Sequence, residues 1–63
     1  MDVGDLISRL KHNHLFHFIF YKEPHNILWE GGKTHIPDDI LCSEVAKFWV
    51  NTRSFTLVIE IEL

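Results

Sequence analysis

The stretch FTLVIEIEL, residues 55–63, alternates large apolar residues with polar or smaller ones over its whole length. Successive side chains of a strand point to opposite faces, so this period of two predicts a β-strand with one buried face. The opposite face carries Val58 and Glu60. The inward face carries Phe55, Leu57, Ile59, Ile61 and Leu63, and the first four are expected to form the largest part of the core, beneath the N-terminal helix.

A hairpin is predicted earlier in the chain. Residues 15–21 read LFHFIFY, and such a run of aromatic and β-branched residues favours a strand. Residues 23–26 follow with Pro24 at the second position of a type I turn, after which residues 27–30 resume an apolar run. Gly31-Gly32 is expected to end the hairpin or to introduce a bulge, because glycine reaches positive φ without steric cost.

Residues 45–50 can be read in two ways. Phe48 and Val50 alternate with Lys47 and Trp49, which favours a third strand joined to the last one by a polar turn at Thr52-Arg53. The alternative is a helix that begins before this segment and extends through Phe48. We prefer the strand.

Two helices complete the predicted elements. Val3, Leu6, Ile7 and Leu10 form the apolar stripe of an amphipathic helix, with Asp2 as its cap and a stop near Asn13. A short helix is expected at residues 38–41, since Pro37 precedes two acidic residues that suit a first turn.

Together these elements predict a single α+β domain spanning residues 1–63. The N-terminal helix packs on a four-stranded, mainly antiparallel sheet of two hairpins, with the short helix between them. The first and last strands are the most apolar, so they are expected at the centre, in the order 2-1-4-3.

Composition narrows the class of protein. The chain is 46% hydrophobic and 24% charged, as in ordinary globular domains, and its net charge is −3 with six scattered basic residues. That balance argues against a dedicated nucleic-acid binder.

The acidic start and the interrupted apolar runs predict neither a secretory signal nor a membrane span, and the single cysteine favours the cytoplasm. A domain of 63 residues buries little surface, which favours oligomerisation or a partner.

The histidines and the cysteine are the candidate groups for metal binding or catalysis. His12, His14 and His17 lack the spacing of a metal site, because an extended chain brings at most two of them to one face. Cys42 has His35 nearby but no third group, so a buried structural thiol is the preferred interpretation. We therefore predict no catalytic residues, no metal site and no cofactor, and we do not expect an enzyme.

The second face of the sheet is the candidate interface. Phe16, Phe18 and Phe20 are expected beneath the helix with Phe48 and Val50. The opposite face then mixes aromatic, aliphatic and charged side chains, a composition typical of protein interfaces, although an ordinary solvated sheet is an equal alternative. The candidate interface residues are His17, Ile19, Tyr21, Trp49 and Val58.

Several segments resemble short uncharacterised proteins of bacterial phages and mobile elements. They are MDVGDLI (residues 1–7), ILWEG (27–31), IPDDIL (36–41) followed by Glu44-Val45, and LVIEI (57–61). The resemblance implies an accessory protein and carries no site residues. With the residues themselves, it predicts a noncatalytic protein-interaction or self-associating accessory protein. The alternative is a nucleic-acid-binding accessory factor that uses the histidines and the scattered cations.

Overall fold

The computed structural model describes residues 1–23 and 26–62. Pro24 and His25 of the predicted turn, and Leu63 of the predicted last strand, lie outside the described residues. The elements are α1 (Val3–Ser8), a 3-10 turn (Asn13–Leu15), β1 (His17–Lys22), β2 (Asn26–Gly32), a second 3-10 turn (Lys33–His35), α2 (Asp38–Leu41), β3 (Glu44–Asn51) and β4 (Thr56–Glu62).

The four strands form one sheet in the order β2-β1-β4-β3, so the α+β class and the predicted strand order are confirmed. The pairs β1–β2 and β3–β4 are antiparallel, but the central pair β1–β4 is parallel. The sheet is therefore mixed rather than purely antiparallel. Since β2 and β3 run in the same direction, the segment that joins them must return along the sheet, and it contains α2.

The core lies on one face of the central strands. Phe18 is in register with Leu57, and Phe20 with Ile59, and all four side chains are almost completely buried. The buried cluster also contains residues of α1 and of the β2–β3 connection. The predicted packing of α1 as a layer on the sheet stays a prediction. The remaining members of the cluster are Val3, Leu6, Ile7, Ile36, Ile40 and Ile61.

Side chains close both ends of α1. Asp2 is the N-cap, as predicted, and its Oδ1 accepts a hydrogen bond from the amide of Asp5 at 2.8 Å. At the other end, Asn13 Nδ2 donates to the carbonyl of Ile7 at 3.0 Å. The helix ends at Ser8, earlier than the apolar stripe suggested, and the Ile7 carbonyl of its last turn accepts from the Leu10 amide at 3.1 Å as well as from Asn13.

The first strand begins two residues later than predicted. Leu15 belongs to a 3-10 turn and is exposed, so β1 starts at His17. At the preceding turn, His12 adopts a left-handed conformation with φ 57°, which redirects the chain from α1 towards the sheet.

The glycine pair ends the hairpin, as predicted, because Gly32 is the last residue of β2 and pairs with His17, the first residue of β1. Gly31 has φ 155°, and a Cβ at this position would approach the ring of Trp29 to 2.8 Å. Glycine is needed here for the close contact with the indole as well as for the backbone conformation. The irregularity in the ladder lies instead between Phe20 and Tyr21.

The strand interpretation of residues 45–50 is confirmed by β3. Phe48 and Val50 pair with Ile59 and Leu57 on the face that holds the core. Their predicted position beneath the helix is wrong in one respect, since they are 44% and 39% exposed. The reason is that β3 is an edge strand.

Phe55 is not part of the core, so its predicted inward role is wrong. It lies in the four-residue turn at residues 52–55, has φ 49° and is exposed. Asn51 Oδ1 accepts hydrogen bonds from the amides of Arg53 and Ser54, which stabilises a turn immediately after β3. The turn runs through Phe55, so β4 begins only at Thr56. Phe55 contacts Phe16 edge to face, with ring centroids 5.8 Å apart.

Alanine variants test this division between centre and edge. Ile59→Ala and Leu6→Ala should each lower the free energy of unfolding by about 2–5 kcal/mol, because each removes buried methyl groups and leaves a cavity. Val50→Ala on the exposed edge strand should lower it by about 1 kcal/mol or less. Urea denaturation monitored by circular dichroism measures all three.

Two results would contradict the assignment. Equal losses for Ile59→Ala and Val50→Ala would mean that the central strand is not the core. A Leu6→Ala loss no larger than that of Val50→Ala would mean that α1 does not pack as a cover.

Candidate protein-interaction surface

The face of the sheet opposite the buried cluster, called the open face below, contains a shallow hollow of about 380 Å³. Ile19 and Val58 are in register on the two central strands, and Trp49 pairs with Val58 from the edge strand β3. These residues form the apolar floor and one wall. The complete lining is Ile19, Tyr21, Glu23, Ile27, Lys47, Trp49 and Val58.

A β-bulge brings Ile27 into the hollow. Phe20 pairs with Trp29, whereas the next residue, Tyr21, pairs with Ile27, so Leu28 is the extra residue of β2. In a regular strand, residues 27 and 29 would share a face. The bulge instead leaves Trp29 packed against the core and turns Ile27 to the open face.

An aromatic pair borders the hollow. The rings of Tyr21 and Trp49 meet edge to face, with centroids 5.8 Å apart and an interplanar angle of 61°. Tyr21 is buried, but Trp49 remains 49% exposed. Tyrosine therefore holds one side of the indole in place while the rest of its surface stays available to a partner.

A polar network lies beside these rings. Tyr21 Oη donates a hydrogen bond to Glu60 Oε1 at 3.2 Å, and Lys47 Nζ lies 3.5 Å from the same oxygen and 4.0 Å from Glu23 Oε1. The Glu60 side chain is only 15% exposed. The register of β1, β4 and β3 brings these groups together, because Glu60 pairs with both Tyr21 and Lys47.

The network changes the acidity of the tyrosine. Burial is the largest cause that raises the pKa of Tyr21 above its ordinary value of 10.0, followed by the hydrogen bond to Glu60 and the charge of that carboxylate. Lys47 acts in the opposite direction, since a nearby cation favours the phenolate. The phenol is thus held in its neutral, hydrogen-bond-donating form.

The open face is acidic. Glu30 and Glu62 lie on it by strand register, as does Glu44, beside the Glu23 and Glu60 already described. Among the described residues of this face, Lys47 is the lone lysine or arginine. His17 lies there too, with its Nε2 3.7 Å from Glu30 Oε2.

Four of the five predicted interface residues therefore meet at the hollow. They are Ile19, Tyr21, Trp49 and Val58. His17 shares the open face but does not line the hollow, since it pairs with Gly32 near the far end of β1. Sequence reasoning missed Ile27, because only the bulge puts it on this face. It also missed Lys47, although the alternation of β3 already placed that residue beside Trp49.

The groups considered for chemistry are placed elsewhere. The rings of His12 and His14 have centroids 6.3 Å apart, and no group of three or more potential ligands is positioned to hold a metal ion within residues 1–23 and 26–62. Cys42 is exposed, so its predicted burial is wrong. It follows the last residue of α2, where Ile40 takes the inward position.

Comparison of the chain with protein-family models, with curated proteins and with solved structures gives no match. The resemblance to phage and mobile-element proteins therefore stays a prediction. Within the described residues, no helix is long and apolar enough to cross a membrane.

The titration of Tyr21 tests the polar network. Tyr21 is the single tyrosine, so absorbance near 295 nm follows its ionisation alone. We expect its pKa above 10.0 in the native chain and closer to 10.0 in Glu60→Gln, which removes the carboxylate charge. Because the folded-state pKa is raised, this contribution to stability is complete below pH 10.0 and is lost as pH rises through the folded pKa.

Glu30→Gln is the matched control. It removes a carboxylate from the same face, but the Glu30 carboxylate lies beside the imidazole of His17 and does not contact the phenol. The same pKa of Tyr21 in Glu60→Gln and in the native chain would contradict the close approach of the Glu60 carboxylate to the phenol.

Proposed function

We propose that this chain is a noncatalytic interaction protein that binds a protein partner through the open face of its sheet. The observation that carries the proposal is Trp49, half-exposed and braced by Tyr21 at the border of an apolar hollow. Tryptophan and tyrosine supply much of the binding energy in protein interfaces, because they bury a large area with little loss of conformational freedom.

The central strands support the same proposal. Parallel strands are normally covered on both faces, since the connections between them place other elements there. In the described part of this chain the core face of β1 and β4 is buried, while Ile19 and Val58 on the other face line an open hollow. A partner that covered them would complete the layering usual for parallel strands.

Charge limits how copies of the chain could associate. Two open faces brought together would oppose their carboxylates across an apolar contact, and like charges in such a contact cost affinity. Self-association through this face is therefore less favoured than binding of a different protein. An accessory role in a phage or mobile element, in the cytoplasm, remains part of the proposal, supported by the sequence resemblance and by an exposed single thiol.

The nucleic-acid alternative has weaker support. Binding to nucleic acid depends on neutralising phosphates, and the open face presents five carboxylates beside Lys47. The exposed aromatic side chain at Trp49 could stack on a base, but the surrounding charge opposes the phosphate backbone.

Substitution of Trp49 tests the proposed function. The chain is used as bait in cells of its source, and each captured protein is then purified and its affinity for the chain measured. Trp49→Ala should weaken the specific complex by about tenfold or more, as expected when a central aromatic residue of an interface is removed. Sedimentation velocity over a range of concentrations measures self-association in the same variants.

Phe48→Ala is the matched control, because Phe48 is the adjacent residue with similar exposure on the opposite face. It should leave the complex intact. A monodisperse monomer whose complexes all survive Trp49→Ala would refute the proposal.

The nucleic-acid alternative makes a separate prediction. Fluorescence anisotropy with labelled single- and double-stranded DNA and RNA should show no binding tighter than about 10⁻⁴ M at low salt, which is the weak end of nonspecific affinities. Affinity in the micromolar range that falls steeply with added salt would favour the alternative.

A further inference from the structure

We infer that the segment that docks in the hollow is a cationic amphipathic helix of the partner protein. This inference rests on the proposed function and adds the chemistry of the ligand. It follows from three properties of the open face: its width, its apolar floor and the sign of its charge.

The width of the sheet suits a helix. Ile19 and Val58 of the central strands form the floor, while Ile27 on β2 and Trp49 on β3 stand at the two sides. Four strands span three spacings of about 4.8 Å, so the backbones of β2 and β3 lie about 14 Å apart. An α-helix with its side chains is about 10–12 Å across, so a helix laid along the strands covers the width of the sheet and rests on the Tyr21–Trp49 pair.

The apolar floor of the hollow favours a helix that has an apolar stripe. Ile19, Val58 and the exposed part of Trp49 offer aliphatic and aromatic surface with one neutral phenol beside them. A helix presents such a stripe when apolar residues recur every three or four positions. An extended strand would bind differently, because strand addition uses the backbone of a sheet edge rather than its face.

The carboxylates around the hollow favour a helix that carries positive charge. Glu23 and Glu60 lie at one end of the hollow with Lys47 between them, and Glu30 stands beside Ile19 through its pairing in the ladder. Glu62 extends the same sign along the face, whereas the Glu44 carboxylate is paired with the amino group of Met1 at 3.2 Å. Lysine or arginine residues that flank the apolar stripe of a helix would meet these carboxylates, which speeds association and excludes acidic partners.

A defined peptide tests the inference. The probe is a labelled peptide of about 14 leucine and lysine residues, about 21 Å long as a helix, with its leucines in one stripe. Its first counterpart replaces every lysine by glutamate, and a second has the same composition permuted so that no stripe forms. Anisotropy should show saturable binding of the striped cationic peptide and at least about tenfold weaker binding of both counterparts.

Variants of the chain locate the binding site. Trp49→Ala should weaken binding by about tenfold or more, whereas Phe48→Ala should change it by less than about twofold. The double variant Glu23→Gln/Glu30→Gln should weaken binding by about tenfold at low salt and much less at high salt, because screening removes the attraction. Asp5→Asn/Asp38→Asn removes the same charge from α1 and α2 and should have no such effect.

Spectroscopy gives an independent readout. Trp29→Phe leaves Trp49 as the single tryptophan, and its emission should shift to shorter wavelength when the helix covers it. Circular dichroism of each variant confirms that the chain remains folded.

The outcomes separate the two proposals. Equal binding of the anionic peptide, or cationic binding insensitive to Trp49→Ala, would overturn the inference. If a natural complex depends on Trp49 but its docking segment is acidic or extended, the inference fails and the proposed function stands. If Trp49→Ala weakens neither the peptide complex nor any natural complex, both fail.

Discussion

The parallel pairing of β1 with β4 is the constraint on which the rest of the molecule depends. It aligns Phe18 with Leu57 and Phe20 with Ile59, and these four side chains are the centre of the core. The other six side chains of the buried cluster pack around this double row, so the fold is organised about it. The same pairing aligns Ile19 with Val58 on the opposite face and thereby creates the floor of the hollow. The core and the hollow therefore lie on the two faces of the same strand pair.

Much of the fold could be predicted from the sequence because its alternation is regular where the strands are central. The FTLVIEIEL segment assigned Leu57, Ile59 and Ile61 inward, and the structure buries all three. Alternation indicates which face of the sheet a side chain occupies, but it does not indicate how much of that face is covered. The exposure of Phe48 on the edge strand could therefore not be predicted from it. Phe55 was misassigned for a different reason: the turn extends over it, although its side chain fits the pattern of the strand.

The candidate site was predicted in outline and not in its details. Tyr21 and Trp49 could be assigned to one face from the strand order, and the structure places their rings in contact. The contribution of Ile27 depends on a bulge, and no local sequence signal marks it, since the glycine pair that suggested an irregularity lies further along β2. The network around Glu60 required the register of three strands, which alternation within each strand does not determine.

The central parallel pairing also governs how the molecule can fold. The partners Tyr21 and Glu60 are 39 positions apart, whereas each antiparallel hairpin joins strands that are adjacent in sequence. Closing a long loop costs more chain entropy than closing a short one, and isolated hairpins form within about 1–10 μs. The two hairpins are therefore expected to form early, and their docking along the seam between β1 and β4 limits the folding rate. The hollow does not exist in either hairpin alone, since its floor has one residue from each, so it forms only when the two hairpins dock.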